Sequence, residues 1–194
     1  SLAKEWEKVP EILARIYPPA FPGREFSVIE FGAAADGKTD CTEAIQKAIA
    51  ACVQAGGGRV VVPAGEYLTG PIHLRSKVNL HLDGGATLKF TTDPKAYLPA
   101  VFTRFEGMEC WNYSPLIYAY EQESIAITGD GVLDGQASDE NWWSWKGRKG
   151  INTNNQNVAR ARLAQFVADG VPVDQRRFGE GGFLRPSFIE PYQG

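Results

Sequence analysis

From residue 58 onward, apolar residues come in short runs set too close together for anything but strands and tight turns. Val60–Val62, Tyr67-Leu68, Ile72-His73-Leu74, Val78–Leu82 and Thr87–Phe90 follow one another, separated by a few residues rich in Gly, Pro, Asp and Ser. Ile72/Leu74 and Val78/Leu80/Leu82 alternate with polar neighbours, so one side of each strand faces a core. Parallel strands joined by helices need about a dozen residues per crossover. There is no room for such crossovers here, which excludes an α/β fold of the P-loop type.

The pattern also repeats. "VNLHLDGGATLKF" (78–90) resembles "IAITGDGVLDG" (125–135): an alternating strand, a Gly-Asp turn, then a second short strand. The offset of 47 residues fits two turns of a coil of roughly 20 to 25 residues each. A further strand begins near the end, at Phe183-Leu184 and Phe188-Ile189. Residues 136–182 read as an insertion holding a Trp cluster, a polar loop and a helix from about Asn157 to Ala168, stopped by Gly170.

Two helical segments precede the strands. Residues 2–16 place Trp6, Val9, Ile12, Leu13 and Ile16 near helical spacing, with Pro10 breaking the run into one or two short helices. "YPPAFPG" then reads as a linker. In the second segment Asp40 and Glu43 form a D-x-x-E capping box, and Ala44, Ile45, Ala48, Ile49 and Cys52 make one apolar stripe. Gly56-Gly57-Gly58 ends that helix.

Just before it, Gly32 through Thr39 matches the pattern G-x-x-x-x-G-K-[ST] of a phosphate-binding loop, after the strand-like run Phe26–Phe31. The strand succession downstream argues against that reading. Asp36 within the loop and Asp40 after it would repel phosphate, and no nucleotide partner is expected. Gly32 and Gly37 instead serve turn geometry, Asp36 and Thr39 bond to the turn's backbone, and Asp40 caps the helix. Net charge is -3, so there is no bulk electrostatic case for nucleic acid. No apolar run is long enough for a membrane-spanning helix. The three cysteines, Cys41, Cys52 and Cys110, show no CxxC spacing and read as buried free thiols. His73 and His81 lie on different strands and make no ligand set.

The stretch from "FGAAADGKTDCTEAIQKAIA" through "GGGRVVVPAGEYLTG" resembles the opening of the pectin-lyase-like right-handed β-helix. "YLPAVFTRFEGMECWNYSPLIYAY", "ITGDGVLDGQ" with its Trp cluster, and "FLRPSFIEPY" resemble bacterial polygalacturonases of glycoside hydrolase family twenty-eight, especially the exo-acting type. The resemblance runs from about residue 24 to the end. It implies an all-β fold: a right-handed parallel β-helix, or solenoid, with an N-terminal capping α-helix, here a fragment ending after the first few coils. Residues 1–23 are then a helical extension and linker. Residues 24–194 are the first coils of one domain, with a helical cap at about 40–55 and the insertion at about 136–182.

The implied activity is hydrolysis of polygalacturonate with inversion, and the resemblance implies no metal or other cofactor. One carboxylic acid protonates the leaving oxygen and a second carboxylate, about 6.5–9.5 Å away, activates water. The family's catalytic motifs, N-T-D, D-D, G-H-G and R-I-K, do not occur in these 194 residues. Asn152-Thr153-Asn154 is the nearest lookalike and lacks the carboxylate. The catalytic residues are therefore expected downstream of Gly194, and this chain alone is expected to be inactive. A secreted or periplasmic location is a family expectation, with no signal segment at the start.

Several residues are candidates for binding pectic polysaccharide or oligogalacturonides. Trp142 and Trp145, with Trp143 between them, offer faces for sugar rings, and Lys146, Arg148 and Lys149 offer cations for carboxylates. The competing reading is that the Trp side chains anchor the insertion and the basic run is solvated. Arg104, Glu106, Glu109 and Asn112 could hold a terminal sugar or simply brace a loop. Arg185 could meet a substrate carboxylate or a turn carbonyl. Asp139 and Glu140 are sequence neighbours and read as a solvated turn, and Asp130 and Asp134 as bonding to backbone amides. Two readings from other classes stay open: a non-catalytic polysaccharide-binding or scaffold β-helix, and another β-helix pectinolytic or depolymerase activity.

Overall fold

A computed structural model describes residues 5–147 and 155–193. The strands fall into three parallel sheets visited in fixed rotation. We call them A, B and C. Sheet A holds β1 (Glu25–Ser27), β3 (Gly58–Val62), β6 (Val78–Leu82) and β11 (Ala126–Gly129). Sheet B holds β2 (Asp36–Asp40), β4 (Gly65–Thr69), β7 (Ala86–Phe90) and β12 (Val132–Asp134). Sheet C holds β5 (Ile72–His73), β10 (Ile117–Tyr120) and β13 (Ile189–Tyr192). Each strand pairs in parallel with the strand one coil earlier, as in β3 with β6 and β4 with β7.

Alternation turns this pairing into a core. Phe26, Val60, Leu80 and Ile127 are register partners down sheet A. Tyr67, Leu88 and Leu133 line up down sheet B, and Ile72, Ile117 and Ile189 down sheet C. These stacks point inward, and Val60, Tyr67, Leu80 and Leu88 are fully buried. Val60, Leu80 and Leu88 each contribute on the order of 1.5–3 kcal/mol through removal from water. Polar residues between them face out, as with the Lys89–Glu66 pair at 3.4 Å.

One end of the core is covered by helix α2 (Thr42–Gln54), whose Ile45, Ala48, Ile49 and Cys52 are buried against it. The expected capping box does not form, because Cys41 and not Asp40 is the N-cap residue, and it makes no side-chain cap bond. Asp40 Oδ1 accepts from the Thr42 amide at 2.9 Å, but Glu43 turns to Lys47 at 2.7 Å. At the other end Ile189 and Val132 are about half exposed.

The phosphate-loop lookalike is a strand with a tight turn in it. Asp36 Oδ1 accepts from the amides of Lys38 and Thr39 at 2.8 Å, and Oδ2 from Thr39 Oγ1 at 2.7 Å. The amides that could cradle a phosphate are thus held by a carboxylate, and those bonds, the hydroxyl's first, lower Asp36 to about 2. At Gly37, φ is +67° and a Cβ would lie 2.7 Å from Glu66 Oε2.

Four further expectations need correction. The segment is broken in two as expected, but the break is the turn at Glu7-Lys8, and Pro10 sits in the first turn of the helix that follows, α1 (Val9–Leu13), because the first turn needs no amide from proline. Trp6, Leu13 and Ile16 on this segment are exposed. The run Phe26–Phe31 is not one strand: it leaves β1 for a 3-10 turn at Val28–Phe31, ended by Gly32 with φ +99°. Phe183-Leu184 lies outside any strand, and only β13 forms there.

The fourth correction is topological. β11 pairs directly with β6, Ile127 opposite Leu80, so the 47-residue offset is one coil and not two. The β3-to-β6 step, Val60 to Leu80, takes 20 residues. The surplus in the next coil lies between β7 and β10. It carries an antiparallel hairpin, β8 (Val101–Phe105) with β9 (Met108–Asn112). The coil after that is longer again: Ile117 to Ile189 spans 72 residues. Its surplus lies between β12 and β13 and carries helix α3 (Asn157–Ala168), with the bounds expected from sequence. Both insertions leave from the same corner, between sheets B and C, where the first coil has only Gly70-Pro71.

Candidate functional site

Because they share a corner, the two insertions meet. Cys110 of β9, Ala159 and Leu163 of α3, and Leu184 form a second, smaller core. Burial pushes the Cys110 thiol up to about 12, with Glu190 adding to it. The hairpin lies over the outer face of sheet C. Thr103 Oγ1 donates to Glu190 Oε1 at 2.6 Å, Phe102 packs edge-on against Tyr120 at 5.6 Å, and Tyr118 OH donates to the Phe102 carbonyl.

This layer occupies four of the candidate residues. The Arg104 guanidinium sits 5.6 Å above the Tyr192 ring. Glu106 pairs with Arg160 Nε at 2.6 Å, both partly exposed. Glu109 accepts from Tyr192 OH at 2.5 Å; burial, then this bond, raises the Tyr192 phenol. Asn112, 2% exposed, donates from Nδ2 to the Leu184 carbonyl at 2.9 Å. These contacts tie hairpin, helix and sheet C together. None of the four lines either of the two cavities described next.

Those cavities open at the same corner. One, of about 460 Å³, is lined by Leu116, Trp142, Pro186 and Phe188, with Asp134 and Gln136 among its polar groups. The other, of about 620 Å³, is lined by Trp143, Lys146, Gly147 and Arg185. Trp143 and Arg185 border both. Both volumes suit small ligands. The three Trp residues part company here. Trp145 is 3% exposed, wedged between Tyr113 at 5.7 Å and Phe183 at 5.3 Å, and offers no face to a ligand. Trp142 is 5% exposed and stacks edge-on with Tyr97 and Trp145 while one edge reaches the first cavity. Trp143 is 48% exposed.

The floor is rigidly built. Asp134 Oδ1 accepts from the Gln136 amide at 2.8 Å, as expected of a turn carboxylate. Gln136 Nε2 donates to the Phe90 carbonyl at 2.7 Å, and Trp142 Nε1 to the Gly135 carbonyl at 3.1 Å. Of the sequence candidates, the structure thus brings Arg185 and Trp142 together with Trp143 and Lys146, and leaves Arg104, Glu106, Glu109, Asn112 and Trp145 elsewhere. Sequence reading missed Gln136 and Phe188 as cavity walls. It also missed Tyr118, Tyr120 and Tyr192, although the i, i+2 spacing in "IYAY" signals one shared face. Arg148, Lys149 and Asn152–Asn154 lie outside the described residues. His73 Nε2 meets Ser114 Oγ at 2.9 Å and His81 Nδ1 meets Thr128 Oγ1 at 2.8 Å. No group of metal-ligating side chains forms among the described residues, and none of their helices is long and apolar enough to cross a membrane.

Comparison with known proteins gives a consistent set of likenesses. Residues 25–98 match the family model for rhamnogalacturonase A/epimerase, pectate lyase-like. The crystal structure of a hyperthermoactive exopolygalacturonase from Thermotoga maritima is 48% identical with a TM-score of 0.92, over 99% of this chain and 43% of that one. A family 28 exopolygalacturonase from Yersinia enterocolitica is 26% identical with a TM-score of 0.57, over 88% of this chain and 32% of that one. An exo-poly-alpha-D-galacturonosidase from Dickeya chrysanthemi is 36% identical over 117 residues, 56% of this chain and 19% of its own length. The resemblance read from sequence therefore holds. The chain spans about a fifth to a quarter of the curated relatives it matches.

Proposed function

We propose that this chain is part of a polygalacturonase-like glycoside hydrolase. It forms the first coils of a right-handed parallel β-helix, in a protein that hydrolyses α-1,4-galacturonosyl bonds of pectin with inversion. The observation that carries this reading is the 48% identity to the Thermotoga maritima exopolygalacturonase across 99% of the chain. The two cavities support it, since an exposed Trp face and two cations suit an acidic sugar. On this reading Trp143, Lys146 and Arg185 belong to the substrate path. The hairpin and α3 form a wall over sheet C. A secreted or periplasmic setting follows from the pectic substrate.

The four catalytic motifs do not occur in these 194 residues, so the chain alone binds oligogalacturonides without cutting them. Its half-exposed edge at β11, β12 and β13 pairs with further coils that bring the two carboxylates. A chimera tests this. Joined to the remaining part of the Thermotoga maritima enzyme, the chain should release reducing ends from polygalacturonate, while the chain alone releases none. A well-folded chimera that binds but never hydrolyses would favour the non-catalytic binding reading instead. Release of product by the chain alone would overturn the placement of the catalytic residues.

A further inference from the structure

Another cavity lies on sheet A, away from the corner between sheets B and C. Its volume is about 210 Å³, and its lining includes Phe21, Pro22, Arg24, Glu25, Arg59 and Asn79. None of its lining residues belongs to β11, β12 or β13, so it stands apart from the edge that pairs with further coils. Glu25, Arg59 and Asn79 are register partners across β1, β3 and β6. Alternation with the inward Phe26, Val60 and Leu80 puts them on the outer face. Asn79 is nevertheless only 6% exposed, and its partner on β11 is the small Ala126.

Donors outnumber acceptors in this cavity. Asn79 Oδ1 accepts from Thr128 Oγ1 at 2.9 Å, and Asn79 Nδ2 has no acceptor among the described residues. Arg59 donates from Nη1 to Glu25 Oε1 at 3.1 Å, and its other two guanidinium nitrogens have no partner among the described residues. Arg24 pairs with no carboxylate among them either. A nearly buried amide donor without a protein acceptor favours an incoming oxygen, and two guanidinium groups against one carboxylate favour an anionic one.

We propose that this cavity binds a small carboxylic acid, no larger than one uronate ring. The carboxylate lies between Arg59 and the Asn79 amide, with Arg24 at the rim, and the carbon skeleton behind it rests on Phe21 and Pro22. A planar carboxylate matches the fork of a guanidinium group. The volume is below the roughly 300–1,000 Å³ usual for ligand pockets, which leaves no room for an oligosaccharide lying wholly inside. The site does not depend on the pectic reading of the corner cavities.

Amide chemical shifts of the 194-residue chain test this, followed as acetate, galacturonate, galactose or inorganic phosphate is added. At least one of the two acids should shift the amides of Arg24, Arg59 and Asn79 saturably. Galactose, a sugar ring without the carboxylate, should bind at least about tenfold more weakly, the scale of one hydrogen bond to a charged group. Galacturonate alone identifies a free sugar acid as the ligand, and acetate binding identifies small acids in general. Asn79→Asp keeps an oxygen for Thr128 and replaces the donor by a like charge, so acid binding should fall about tenfold or more. Arg59→Gln should weaken it similarly with little change in melting temperature, because its pair with Glu25 is exposed. Neither acid shifting these amides saturably would overturn the proposal. So would galactose or phosphate binding as tightly as the acids, or undiminished acid binding in an Asn79→Asp chain that keeps the wild-type melting temperature. Should that variant not fold, Arg59→Gln and the galactose comparison decide.

Discussion

The coil core and the layer of insertions are built on opposite principles. In the core, apolar side chains repeat at register positions, so Phe26, Val60, Leu80 and Ile127 stack although up to 47 residues separate neighbours. In the layer, nothing repeats. Its small core of Cys110, Ala159, Leu163 and Leu184 joins one hairpin to one helix and is fastened by specific polar contacts such as Thr103–Glu190 and Asn112–Leu184. Repetition distributes stability over many equivalent contacts, as in other stacked repeats. The layer depends on a few contacts and should open as a local unit.

The largest test of that difference is a pair of truncations. Leu80→Ala, in the middle of the sheet A stack, should cost about 2–5 kcal/mol of global stability, read from chemical denaturation. Leu163→Ala should instead leave the global midpoint nearly in place and raise hydrogen exchange in 101–112 and 157–168. Equal global losses from both would mean that layer and core unfold together.

Thiol reactivity probes the same boundary. Burial raises the thiols of Cys41, Cys52 and Cys110, so at pH 8 all three should resist a disulfide reagent in the folded chain. As denaturant rises, Cys110 should react first, because it belongs to the layer. Cys52 reacting first would place the weakest region at the helical cap.

A smaller effect is expected at the cap itself. Asp40→Ala removes the acceptor for the first amide of α2 and should cost about 0.5–2 kcal/mol, measured by thermal melting. The smallest expected effect is none at all. ATP should not shift that melting temperature, because Asp36 already holds the amides of Lys38 and Thr39.

What the sequence made legible follows the same division. Strand runs in the core were readable because burial of one face imposes alternation, and α2 and α3 because each carries a helical spacing and a glycine stop. Register was not readable. The 47-residue repeat looks like two coils until the β8–β9 hairpin is seen to fill the difference, and no local signal in Val101–Asn112 says that it stands outside the coil. The site suffered likewise. Trp142, Trp143 and Trp145 are nearly adjacent in sequence, yet two face inward and one outward. A turn at Asn141–Trp143 running into a 3-10 turn at Ser144–Lys146 sets those directions, and propensity does not foretell it. Arg185 and Asp134 are 51 residues apart in sequence and line one cavity because they stand at the two ends of the same insertion, between β12 and β13.

That shared corner has a consequence for how such a chain can vary. Stepping from one strand to its neighbour raises the coil by about 4.8 Å, whether the step uses 20 residues, as from Val60 to Leu80, or 72, as from Ile117 to Ile189. Height along the axis is thus decoupled from contour length. At the corner between sheets B and C the molecule behaves like a socket: segments of different size plug in, and the three apolar stacks keep their alignment. Changing what is plugged in there changes what the neighbouring cavities contact without asking the core to fold differently.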